Sequence, residues 1–479
     1  MTTDQAAGLR LDDMTAMRDA LDSGRVTSAM LVDRAIDRAQ AANARLNFIA
    51  CPTFERARPQ ALEPRSGALA GIPTLIKDMV MEKGVSATWG SAALRDFVAP
   101  DDSPYTRALA DAGLISIARS AIPEFGLNVV TESPLVGPTR NPWNPAYSPG
   151  GSSGGAGAAV AAGVVPVAHG SDGLGSIRHG AAPCGLVGLK PSRGRNAGEE
   201  AMRSIVDLTV NGCVSRTVCD TAMWIEATQT RDPAAAFSPL PLVTVPVDHA
   251  LRIRAYSAVM RTGAPPAPDV ARVFAETVDL LGRLGHRVGD GALPFDGPTA
   301  MATLSDITEG MFARRLGLLS EQLGVAIAPE DLEHRSTTLV AAGNQIDDTR
   351  YALGWDRAQQ MVSAYLDQFD AIDIWMTPTF STEIVPVGVF GPDVAWLNQR
   401  DHLLDFAGYC WIDNFAGTPA ISLPMGFSDN GLPIGVQFAT RPGGEALLLA
   451  LAYQLEATVE WWRHTPPIWV GDDPAKDDR

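Results

Sequence analysis

The chain has 479 residues, of which 38 are Lys or Arg and 55 are Asp or Glu, giving a formal net charge of −17, with 46% hydrophobic and 19% charged side chains. Charge of that sign repels phosphate backbones and anionic lipid, which excludes nucleic acid and membrane surfaces as direct partners. The apolar content suits a large soluble core rather than disorder, and no run of ~18 apolar residues is present to span a bilayer.

The start, MTTDQAAGLRLDDM, lacks the basic end and continuous apolar stretch of a signal peptide, so a cytoplasmic location is expected. LDDMTAMRDALDSG and TSAMLVDRAIDRAQAAN carry apolar residues at three- and four-residue spacing behind Asp and Thr caps, which predicts two amphipathic helices within an N-terminal helical segment, 1–60. GIPTLIKDMV, 71–80, reads as a strand interrupted by Lys77 and Asp78. A surface turn is the plain alternative for that charged pair. SPYTRALADAGLISIARS then gives a helix and a strand over 114–118, the alternation of an α/β fold. TRNPWNPAYSPGG is irregular, because residues before proline resist regular structure. The small residues of AGAAVAAGVVPVAHG suit a helix packed closely in the middle of the fold.

About 194–378 is less patterned and is expected to be a variable region that shapes the substrate pocket, with helical periods at DVARVFAETVDLLGRLG and YALGWDRAQQMVSAYLDQF. FDAIDIWMTPTF is strand-like. GTPAISLPMGFSDNGLPIGVQFAT predicts two strands joined by a turn at 429–431, and EALLLALAYQLE a docking helix. Aromatic-bearing segments at 375–380 and 409–415 are candidates for substrate contact. Cys51, Cys184, Cys213, Cys219 and Cys410 are too scattered for a disulfide framework or a CxxC site, and the histidines form no HExxH cluster, so neither metal nor cofactor is implied.

Three serines, Ser152, Ser153 and Ser176, sit among glycines in SPGGSSGGAGAAVAAG and GSDGLGSIR. Gly150, Ser152 and Gly154 match the letters of a GxSxG elbow, but that elbow needs a strand before it, and NPWNPAYSPG cannot be one. No GK[ST] closes the run as a phosphate loop. A serine hydroxyl needs a base, and Ser–Lys pairs are an alternative to Ser–His. One arrangement meets that need: Ser176 as nucleophile, Ser152 as proton carrier and Lys77 as a base made neutral by apolar surroundings. The backbone N–H groups of Gly173, Leu174, Gly175 and Ser176 then form the candidate oxyanion hole. Asp172 and Arg178 are expected to be a buried pair holding this turn in shape, with Ser153 in a supporting role.

GGSSGGAGAAVAAGVVPVAHGSDGLGSIR with CGLVGLKPSRGR strongly resembles the amidase signature, and GIPTLIKD and GTPAISLPMGFSDNGLPIGVQF resemble that family's flanking motifs, in order along nearly the whole chain. The resemblance implies one large α/β domain over 1–479 with a central mixed β-sheet covered by helices on both faces. It implies Lys77 as the base, Ser152 as the serine after a cis peptide bond, and Ser176 as the nucleophile of cofactor-free hydrolysis of amide C–N bonds through an acyl-enzyme. The chain departs from the family pattern at Leu174, where a glycine is usual, and at His179 and Gly180, which replace an apolar residue and Pro; His179 is read as structural.

Within the family, EFGLNVVTESPLVGPTRNPWN is similar to 6-aminohexanoate-cyclic-dimer hydrolases. The expected substrates are small hydrophobic, aryl or aminohexanoate-type amides, with carbamates (urethanes) as an alternative that needs the same chemistry. Two other readings stand beside this one: a glutaminase subunit of a tRNA-dependent amidotransferase, and a non-catalytic binding protein. The sequence admits a homodimer.

Overall fold

Asp13 accepts the Ala16 N–H and Thr27 the Met30 N–H, and these side-chain caps, worth about 1 kcal/mol each, start helices Met14–Asp22 and Ser28–Leu46. The computed structural model describes residues 11–472 apart from 201 and 203. The second helix buries Leu31, Val32, Ala35, Ile36 and Ala39, the stripe that its sequence period anticipates. It ends at Asn47, whose left-handed φ of 54° turns the chain into strand β1, Ile49–Pro52. The N-terminal segment is therefore not helical throughout. Its Ile-containing run is claimed by an antiparallel pairing with β3, Ile115–Ser120, which also pairs in parallel with β2, Pro73–Lys77.

The larger sheet is mixed and has eight strands. In chain order these are β4 (Val167–Asp172), β5 (Val187–Lys190), β6 (Val210–Ser215), β7 (Arg252–Ala255), β8 (Arg287–Asp290), β9 (Ile374–Pro378), β10 (Ala420–Phe427) and β11 (Pro433–Ala439). Their spatial order is β8-β7-β9-β11-β10-β5-β6-β4, with β7 parallel to both neighbours and the remaining pairs antiparallel. Strands β6 to β8 come from the region expected to shape the pocket, so that region also builds the sheet, and β9 is the strand-like run expected in FDAIDIWMTPTF. The 429–431 turn joins β10 to β11, and helix Glu445–Val459 buries Leu448, Leu449, Leu451 and Leu455 in the main core. Among the described residues no helix is long and apolar enough to cross a membrane.

The small sheet abuts β4 through side chains: Thr74 Oγ1 donates to Val167 O at 3.0 Å. Helix Gly154–Ala161 is buried along its whole length. A Cβ on Gly155 would lie 2.5 Å from the backbone N and O of Ala121, so the helix packs backbone against backbone and only glycine fits there. That close fit fixes the position of the Ser152–Ser153 turn at its N-terminus relative to β2 and β4. Residues 141–151, where a GxSxG elbow would require a strand, contain none.

Candidate active site

Lys77 ends β2 and is completely buried, as is Asp78, so the surface-turn alternative does not hold. Asp78 accepts the Thr88 N–H at 3.2 Å and the Thr88 hydroxyl, and lies 3.7 Å from Arg119 Nε. The Lys77 main-chain N–H donates to His169 Nδ1 at 3.1 Å. That acceptor role leaves the proton on Nε2, which faces Asn211 Oδ1 at 3.1 Å. Lys77 Nζ lies 2.8 Å from Ser152 Oγ, 3.0 Å from Ser153 Oγ and 3.0 Å from Ser171 O. Burial drives the Lys77 ammonium down from 10.5 to about 7, against a weaker opposing pull from Asp172. Once neutral, the amine keeps two N–H groups for Ser153 Oγ and Ser171 O and turns its lone pair to Ser152.

The Gly151–Ser152 peptide is cis. The next residue ties this turn to the second one, because the Ser153 N–H donates to Ser176 O at 3.3 Å. Ser152 and Ser176 line one cleft, together with Gly173 and Leu174.

The second turn is held by charge. Asp172 accepts the Gly175 N–H at 2.7 Å and the Ile177 N–H at 3.1 Å, and takes Arg178 Nε and Nη2 at 3.0 Å each. Arg178 Nη1 reaches Asp413 Oδ2 at 2.9 Å, Gln437 Oε1 at 2.7 Å and Cys410 O at 3.0 Å, while Nη2 reaches Asn414 Oδ1 at 2.6 Å. Asn414 Nδ2 closes the ring on Asp172 O at 2.9 Å. Burial alone would raise the Asp172 carboxyl; the Arg178 guanidinium holds it well below the usual carboxylate range. Such a pair is stable only with its lone pairs and protons satisfied, which is what these bonds do.

This arrangement corrects the expected oxyanion hole. The Gly175 N–H is spent on Asp172, leaving the amides of Gly173, Leu174 and Ser176 as candidates. Gly175 has φ +125°, and a Cβ there would lie 2.2 Å from the His179 ring, so the turn requires glycine. His179 is buried, stacks on Phe380 with centroids 4.6 Å apart, and has no hydrogen-bond partner for Nε2. Burial lowers it to about 3, so it is neutral.

The cleft encloses about 420 Å³ and is walled largely by apolar groups, among them Phe125, Leu304, Phe312, Trp396 and Trp411. Of the aromatic residues in the two segments singled out as substrate contacts, Trp411 lines it, whereas Trp375, Phe380, Tyr409 and Phe415 pack in the core. Sequence reasoning missed helix Gly297–Leu323, which supplies Leu304, Phe312, Leu316 and Leu319 to the wall, and missed Asp413 and Asn414. A charged and polar pair inside the apolar run of CWIDNFAG was the available signal for the last two, the same irregularity that marks Lys77 and Asp78.

A buried amine near neutrality, in contact with a serine hydroxyl and beside a turn that presents main-chain N–H groups, is suited to acyl transfer. The family model named Amidase matches residues 30–449. The protein named AmiC in Mycobacterium tuberculosis is 37% identical over 470 residues, covering 95% of this chain and 96% of that protein. The 6-aminohexanoate-cyclic-dimer hydrolase of Paenarthrobacter ureafaciens is 31% identical over 482 residues, with coverage of 95% and 96%. A solved structure of 6-aminohexanoate cyclic dimer hydrolase complexed with substrate superposes with a TM-score of 0.86 at 30% identity, over 95% of this chain and 98% of that one. The chain belongs to the amidase family, enzymes that hydrolyse amide carbon–nitrogen bonds.

Proposed function

We propose that the chain hydrolyses small hydrophobic amides, aryl or aminohexanoate-type, through an acyl-enzyme on Ser176. The observation that carries this reading is the fully buried Lys77 Nζ at 2.8 Å from Ser152 Oγ, in the cleft that Ser176 shares. Neutral Lys77 accepts the Ser152 hydroxyl proton, Ser152 accepts the proton of Ser176, and Ser176 Oγ attacks the carbonyl carbon. The amides of Gly173, Leu174 and Ser176 are the donors available to the oxyanion. Collapse breaks the C–N bond as Ser152 returns a proton to the leaving nitrogen. Water then takes the place of Ser176 in the reverse sequence and releases the acid. A positioned base contributes roughly 10²–10⁴-fold and one oxyanion donor roughly 10²–10³-fold.

Aryl carbamates present the same carbonyl to the same nucleophile, and the aromatic wall of the cleft suits a flat substituent. Carbamate hydrolysis is therefore the alternative reading of the site. The test is amine release from an anilide, a primary amide, the aminohexanoate cyclic dimer and an aryl carbamate, by wild type and by Ser176→Ala. Release that falls at least ~10³-fold in the variant supports the nucleophile. Undiminished release by Ser176→Ala contradicts it, and glutamate formed from glutamine by the chain alone would favour the amidotransferase-subunit reading instead.

A further inference from the structure

Despite the net charge of −17, the charged side chains that line the cleft are Arg315 and Arg335, and no Asp or Glu lines it among the described residues. Arg315 is exposed at its surface, but Arg335 is only 1% exposed. A buried guanidinium normally has every N–H engaged, since an unmet one costs the full desolvation of the group. Arg335 Nη2 donates to Leu127 O at 2.6 Å, and the guanidinium carbon lies 5.1 Å from the Trp396 ring centroid. Nε and Nη1 have no partner.

The carboxylates near Arg335 do not supply one. Glu124 accepts from Ser91 Oγ at 2.7 Å and from the Glu333 N–H at 3.1 Å. Burial pushes Glu333 up to about 8, so its carboxyl is protonated at neutral pH. Arg335 itself, lowered by burial only to about 10, stays charged. Its hydrogen-bond partner borders the reacting centre: Leu127 and Gly126 line the cleft, and a Cβ on Gly126 would lie 3.2 Å from Ser152 Oγ.

We infer that Arg335 forms a carboxylate-binding subsite in the wall of the cleft, and that the preferred amides carry a carboxylate at the far end of their apolar acyl group. The three free N–H groups of Nε and Nη1 supply charge-assisted bonds to the anion, and the aromatic and leucine wall holds the chain between it and the scissile carbonyl. This rests on the amidohydrolase reading for the bond cleaved, not for the subsite itself.

The test uses the monoanilides of glutaric and adipic acid against their methyl esters. Aniline release by wild type should show a KM for the acid lower by ~10-fold or more, the value of one good charge-assisted hydrogen bond, with a smaller effect on kcat. Arg335→Met and Arg335→Gln should abolish that preference and Arg335→Lys retain part of it. Equal kcat/KM for acid and ester in wild type overturns the subsite, whether or not the variants fold. Calorimetric binding of the same acids and esters to Ser176→Ala separates the two readings. Acid bound at least ~10-fold tighter than ester supports the subsite even if no amide is cleaved; equal binding overturns it even if amides are cleaved.

Discussion

Lys77 Nζ and Ser152 Oγ stand 2.8 Å apart, the lysine with no exposed surface and the serine at 1%. That geometry places a hydroxyl against a group whose charge burial has already weakened. In the proposed mechanism the neutral amine is the competent base, and its population grows as pH rises through about 7. The expected kcat/KM therefore climbs with pH to a plateau, with its half-point near 7. Lys77→Ala should lower kcat by at least ~10²-fold and remove this limb, while far-ultraviolet circular dichroism keeps its native form. A pH–rate profile with the same acid limb in Lys77→Ala contradicts the assignment.

His169 holds the Lys77 main chain and packs at a tilt of 43° against Tyr105, with centroids 5.3 Å apart. His169→Phe keeps a ring in that place but removes the Nδ1 acceptor. A base displaced by a fraction of an ångström costs turnover more than binding. The variant should lose about 10–100-fold in kcat with little change in KM, as steady-state kinetics would show. A large KM effect with unchanged kcat would assign His169 to substrate binding.

Asp172→Asn leaves Arg178 charged, buried and short of its main counter-ion. The cost should be about 3–5 kcal/mol, read as a lower urea midpoint. Arg178→Met alone should be similarly harmful, and the double variant less harmful than the sum, because neither charge then remains unpaired. Additive losses would mean that the pair does not act as a unit.

Gly155→Ala places a methyl 2.5 Å from the Ala121 backbone, which cannot retreat as a side-chain tip would. We expect destabilisation of about 1–3 kcal/mol or more, measured by denaturant unfolding, and lost activity through displacement of the Ser152–Ser153 turn. A variant as stable and active as wild type would show that this helix has slack.

Much of the site is legible in the sequence because its chemistry breaks local patterns. Lys77 and Asp78 interrupt an apolar strand, and glycines crowd around Ser152 and Ser176. The structure brings Lys77 into contact with Ser152 and puts Ser176 on the same cleft. What the sequence does not expose is long-range partnership. Arg178 is completed by Asp413, Asn414 and Gln437, more than two hundred residues away, and no local pattern tells that Arg178 is their partner. Helix Gly297–Leu323 has its buried residues between Gly297 and Phe312 and lines the cleft from Leu304 to Gln322, so its apolar residues form no single stripe. The commitment of the Gly175 N–H to Asp172 depends on how one turn closes, which residue identity leaves open. Strand β1 was hidden by its brevity, four residues after a long helix.

The division of labour between Ser176 and Ser152 is tested most directly by trapping the acyl-enzyme. An activated aryl ester would be mixed with wild type and quenched in acid within one turnover, and the labelled peptide mapped by mass spectrometry. One acyl group on the peptide at Ser176, absent from Ser176→Ala and still formed, more slowly, in Ser152→Ala, is the expected result. An acyl group on Ser152 in wild type would contradict the account, because it would make the lysine-bonded serine the nucleophile rather than the proton carrier.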